Sequence, residues 1–106
     1  MNTPELNSVI TDIRETLSQH PGPVKRVGVF GSLATGKFTD NSDIDIAIEF
    51  APEDNFEIEK FSRFCEICEL ISENISNIYG RKVDLIHVED NPRSFLHEIS
   101  EEIIWV

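Results

Sequence analysis

Gly31-Ser32 is followed, after ten intervening residues, by the aspartates Asp43 and Asp45, a set of residue types that can hold a phosphorylated ligand and its cations. Glycine permits close backbone approach, and a turn there presents N–H groups and a hydroxyl to an anion. Carboxylate oxygens are hard donors of the kind magnesium prefers. The run DIDIAIEF, residues 43–50, alternates strictly. Asp43, Asp45, Ala47 and Glu49 therefore share one strand face, and Ile44, Ile46, Ile48 and Phe50 share the other. The two aspartate Cα atoms of such a strand lie roughly 6–7 Å apart. That spacing lets two carboxylates share a pair of cations about 3.5–4 Å apart. Taken alone, an Asp-x-Asp pair is usually a solvated face; the Gly31-Ser32 ahead of it turns the reading toward chemistry. Gly36 allows a second tight turn in the connection. Ser42 either caps the site or initiates the strand. Lys37 either contacts a phosphate or is a solvated loop lysine.

These residues need a sheet to position them. Val24 to Phe30 (VKRVGVF) reads as a strand broken by Gly31-Ser32. Lys82 to His87 (KVDLIH) reads as another, with Val83 and Leu85 on one face and Asp84 on the other. Beside the 43–50 strand, it would bring Asp84 onto the face of Asp43 and Asp45. Glu49 shares that face but lies about 13 Å from Asp45 along the strand, and is set aside. Helices complete the plan. Thr3-Pro4 opens the first, with a stripe of Leu6, Val9, Ile10, Ile13 and Leu17, and His20-Pro21-Gly22-Pro23 ends it. Asn55 is the expected N-cap of a long second helix and Gly80 its stop. Asn91-Pro92 opens a third, with Phe95, Leu96, Ile99 and Ile103 inward, unless residues 103–106 form a final strand. The expected fold is α/β (α+β): a small mixed β-sheet with helices packed on one face and the site on the open face. Residues 1–106 are read as a single domain.

GSLATGKFTDNSDIDIAI (31–48) resembles the signature of the DNA polymerase β-like nucleotidyltransferase superfamily. The chain's small size is similar to the minimal nucleotidyltransferase (MNT) branch, whose members are often paired with a HEPN-domain ribonuclease toxin. The resemblance implies that Asp43 and Asp45 hold two Mg2+ ions. It also implies that Asp84 binds the catalytic ion and helps deprotonate an acceptor hydroxyl. Gly31 and Ser32 would hold the nucleotide, with Lys37 and Ser42 nearby. The implied reaction is AMP transfer from ATP, by in-line attack at the α-phosphorus with pyrophosphate leaving. Larger relatives carry acceptor-binding domains, whereas about 20 residues follow the Asp84 strand here. The acceptor is therefore expected on a separate protein. By analogy that protein is a HEPN toxin, modified on a tyrosine hydroxyl, which makes this chain its antitoxin. The alternatives are an antitoxin that acts by binding alone and a transferase for a small molecule of the antibiotic type.

Composition narrows the partners. A net charge of −11 argues against direct nucleic-acid binding, which needs a positive face. It leaves nucleotides open, because metal ions supply local positive charge. Cys65 and Cys68 have C-x-x-C spacing but fall on an apolar helical stripe with Phe61, Phe64, Ile71, Ile75 and Ile78, so they read as core. No second Cys/His pair completes a zinc site. His20, His87 and His97 have no triad or ligand spacing. Two cysteines, no signal peptide and no membrane-length apolar run place the expected location in the cytoplasm.

Overall fold

Alternating apolar residues build the centre of the sheet, and two amphipathic helices cover them. The computed structural model describes residues 4–51 and 57–106. In chain order these form α1 (Leu6–Gln19), β1 (Val24–Phe30), α2 (Gly31–Thr35), β2 (Ile44–Phe50), α3 (Ile58–Tyr79), β3 (Val83–His87), α4 (Arg93–Ser100) and β4 (Ile104–Trp105). A 3-10 turn over Val88–Asp90 joins β3 to α4. The sheet order is β3-β2-β1-β4. β1 is antiparallel to both β2 and β4, and β2 is parallel to β3. The parallel pair needs a crossover connection, and α3 supplies it.

Ile44, Ile46 and Ile48 are wholly buried in one cluster with Val27 and Val29 of β1, Val9 and Ile13 of α1, and Phe64, Ile67, Ile71 and Ile75 of α3. Burial of each such side chain contributes about 1.5–3 kcal/mol. Two polar links tie α1 to α3. The Tyr79 hydroxyl donates to Asp12 Oδ2 at 2.5 Å, and Asn74 Nδ2 donates to Thr16 Oγ1 at 3.2 Å. This is the mixed sheet with a helical layer on one face that the alternation predicts.

The other face is less open than expected. Phe30, Ala47 and Ile99 are buried there, packed with Ile86, Val88, Phe95, Leu96 and Ile103. The rings of Phe30 and Phe95 meet edge-on at 6.2 Å. Helix α4 thus lies across the middle of this face, because its own apolar stripe needs a surface to bury. Gly28 permits the fit; a Cβ there would come within 2.8 Å of Ile103 and 2.9 Å of Trp105.

Element ends shift from the sequence reading. Helix α1 begins at Leu6, and the expected start at Thr3 lies outside the described residues. Asn55 also lies outside them, and Glu57 occupies the N-cap position of α3. Phe61 and Ile78, expected in the buried stripe, are each 39% exposed, while Ile67 and Tyr79 are buried instead. Phe61 still packs its ring on Phe50 and Phe64, with centroids 5.7 and 6.2 Å away, so the stripe thins toward the ends of this 22-residue helix. The final residues take the strand alternative, pairing Ile104 and Trp105 with Val29 and Gly28.

Candidate active site

Three strand ends meet where α4 stops covering the sheet. Across the ladder Phe30 pairs with Asp45, and Asp45 pairs with Asp84. Paired residues on adjacent strands share a face and lie about 4.8 Å apart. Asp45 and Asp84 therefore project side by side, as expected if the two strands are neighbours. Asp43 precedes the first residue of β2 and is exposed, as is Asp84, whereas Asp45 is half-buried. Glu49, on the same face at the far end of β2, accepts from Arg26 Nε at 2.7 Å and takes no part.

Gly31 explains how a chain segment reaches this point. Its φ is +71°, and a Cβ built on it would lie 2.1 Å from Asp45 Oδ2. Only glycine lets the backbone pass so close to that carboxylate. The expected Gly-Ser turn is in fact the start of a one-turn helix, α2 (Gly31–Thr35). Leu33 anchors it in the core, and Gly36, at φ +79°, ends it. Ser32 follows Gly31 in that turn, and its carbonyl oxygen accepts the Lys37 N–H at 2.9 Å. Lys37 is exposed on the loop after α2. The Ser42 hydroxyl accepts the Thr39 N–H at 2.9 Å, which places it in the closure of that loop.

Two neighbours of the site escaped the sequence reading. The Gly31 N–H donates to Glu102 Oε1 at 3.1 Å, so a carboxylate from the turn after α4 joins the cluster. Arg81 grips the loop before Asp43: its guanidinium donates to the carbonyl oxygens of Thr39 and Asp40. No local spacing marks either residue. Glu102 is brought in by the pairing of β4 with β1, and Arg81 by the parallel pairing of β2 with β3.

The electrostatics follow from crowding. Asp45 has its carboxyl pushed up to about 6, first by burial, then by Asp84, Asp43 and Glu102. A carboxylate surrounded by others favours a proton or a cation. The donor set is entirely hard oxygen and fits magnesium rather than zinc. Among the described residues no three ligating side chains already enclose a common point. Cys65 and Cys68 are free thiols; Cys68 packs in the core, and that burial pushes its thiol up to about 12, away from the reactive thiolate.

Known proteins resemble this chain over most of its length. The family described as "Polymerase beta, Nucleotidyltransferase" matches residues 11–106. A Methanocaldococcus jannaschii relative named "Putative protein adenylyltransferase" is 35% identical over 104 residues, covering 92% of this chain and 97% of its own. The protein adenylyltransferase MntA of Thermococcus cleftensis is 28% identical over 102 residues, covering 96% of this chain and 93% of its own. Among solved structures, a chain in the complex of a tri-AMPylated Shewanella oneidensis HEPN toxin with an MNT antitoxin has a similar fold. There the TM-score is 0.60 at 16% identity, over 94% of this chain and 70% of that one.

Proposed function

The chain belongs to the polymerase β nucleotidyltransferase family, and we propose that it transfers AMP from ATP to a tyrosine hydroxyl of a partner HEPN toxin, acting as that toxin's antitoxin. The observation that carries the reading is the register of Asp45 with Asp84, beside a Gly31 whose Cα packs on the Asp45 carboxylate. Asp43 and Asp45 would hold two Mg2+ ions, and Asp84 would help to hold the catalytic one. Magnesium, when bound, lowers the pKa of the attacking hydroxyl and stabilises charge on the attacking and leaving oxygens. The exposed Asp84 carboxylate takes the phenolic proton. A bond forms from the tyrosine oxygen to the α-phosphorus, and the bond from that phosphorus to the β-bridging oxygen breaks. Pyrophosphate leaves with the electron pair. Gly31, Ser32 and Lys37 border the place where the triphosphate would lie.

Three further points support the partner. The relatives described above are named as protein adenylyltransferases. The structural neighbour sits in a complex whose toxin carries AMP. The net charge of −11 favours a basic protein surface over a nucleic-acid backbone. The test is incubation of the chain with Mg2+, the HEPN partner and ATP labelled on either the α- or the γ-phosphate, followed by fragmentation mass spectrometry. The expected result is α-label on a partner tyrosine and none from the γ-phosphate. Toxin neutralisation by D43A/D45A, without transfer, would show that binding alone suffices.

A further inference from the structure

One shielded cation has no role in the chemistry described so far. Arg81 lies between Gly80, which ends α3, and the start of β3. Its side chain is only 19% exposed. Nη1 donates to the carbonyl oxygen of Thr39 at 3.4 Å and to that of Asp40. Nη2 pairs with the Asp40 carboxylate at 3.6 Å, and the guanidinium carbon stands 5.2 Å from the centroid of the Phe38 ring. All of these partners lie on the loop that links α2 to β2.

That loop delivers Asp43. It is closed by its own turn, in which Thr39 N–H donates to the Ser42 hydroxyl at 2.9 Å and Ser42 N–H donates to the Thr39 carbonyl oxygen at 3.0 Å. The parallel ladder takes over at the next step, where Ile44 N–H donates to the Lys82 carbonyl oxygen at 2.9 Å. Asp45 and Asp84 are thus fixed by the sheet, whereas Asp43 lies outside it and takes its position from the loop. Arg81 stands three residues ahead of Asp84, so a single side chain ties the approach to one catalytic strand to the approach to the other.

We infer that Arg81 is a positioning residue for nucleotidyl transfer: by gripping Thr39 and Asp40 it sets Asp43 against Asp45 and Asp84. The inference rests on the proposed role of those aspartates. The ion pair with the exposed Asp40 carboxylate adds little to it. The carbonyl contacts do the holding: Nη1 reaches both main-chain oxygens while Nη2 of the same rigid plane faces the Asp40 carboxylate. A lysine ammonium has three donors but sits on a flexible stem without that fixed plane, so it holds the loop less rigidly.

The experiment compares wild type, R81K and R81A by thermal melting, by calorimetric titration with Mg2+ in the presence of ATP, and by AMP transfer as a function of Mg2+. Misplacement of a ligand by about 1 Å can cost up to 100-fold in rate. R81A is therefore expected to need at least about tenfold more Mg2+ for half-maximal transfer and to lose kcat. R81K should fall between wild type and R81A, and millimolar guanidinium should restore part of the R81A activity. If R81A does not melt cooperatively, R81K carries the comparison. Folded variants with wild-type Mg2+ dependence and kcat would overturn the inference while leaving the proposed function intact. A wild-type chain that neither binds Mg2+ with ATP nor transfers AMP would overturn both.

Discussion

Gly31 and Asp45 define each other. The carboxylate occupies the space a side chain at 31 would need, and the backbone there is left-handed. Gly31→Ala therefore carries two penalties: a left-handed alanine costs about 1–2 kcal/mol, and its Cβ displaces Asp45 Oδ2. AMP transfer should fall on the order of 100-fold, since a shift of about 1 Å at a reacting group has that effect. Melting measured alongside separates the loss of activity from the smaller loss of stability. The Asp45 carboxyl makes a second prediction. Its folded pKa of about 6 lies above the ordinary aspartate value of 3.8 that the unfolded chain keeps. The folded state therefore binds the extra proton between these values, and stability declines as pH rises through that window. Without divalent cation, D45N should match wild type near pH 4 and melt at a higher temperature at pH 7. A wild type more stable than D45N at pH 7, with chelator present, would contradict the crowding of carboxylates described above.

Elements explain what the sequence could disclose. The period-two run 43–50 and the helical stripes of α1 and α3 are long enough to carry their periodicity, so the strands, the two covering helices and the face shared by Asp45 and Asp84 are legible. Helix α2 was not, because five residues complete little more than one turn and Gly31-Ser32 also suits a plain turn. The placement of α4 was hidden for a different reason. An eight-residue amphipathic stripe shows that a helix must bury one side, but says nothing of which surface receives it. Glu102 and Arg81 act across the sheet and the chain crossover, distances that local spacing does not encode. The covering role of α4 is testable through Ile99, which is buried against Phe30 and Ala47. Truncation of a buried isoleucine to alanine costs about 2–5 kcal/mol. I99A should lower the urea midpoint accordingly, with an unchanged m-value; a loss below about 1 kcal/mol would mean that α4 packs loosely on that face.

Viewed as a whole, the molecule places a carboxylate cluster at the uncovered end of a sheet whose two faces are otherwise packed. Its net charge of −11 is consistent with the cations and the basic protein acceptor proposed above. Among the described residues no helix is long and apolar enough to cross a membrane. Membership of the nucleotidyltransferase family accounts for the donor half of the reaction, and the proposed HEPN partner brings the acceptor half. The most direct test is the intact mass of that partner after incubation with Mg2+, ATP and either wild type or D43A/D45A. Mass increments in whole AMP units with wild type, and none with the double variant, are the predicted result. An unchanged partner mass with active, folded wild-type chain, or equal increments with D43A/D45A, would contradict it.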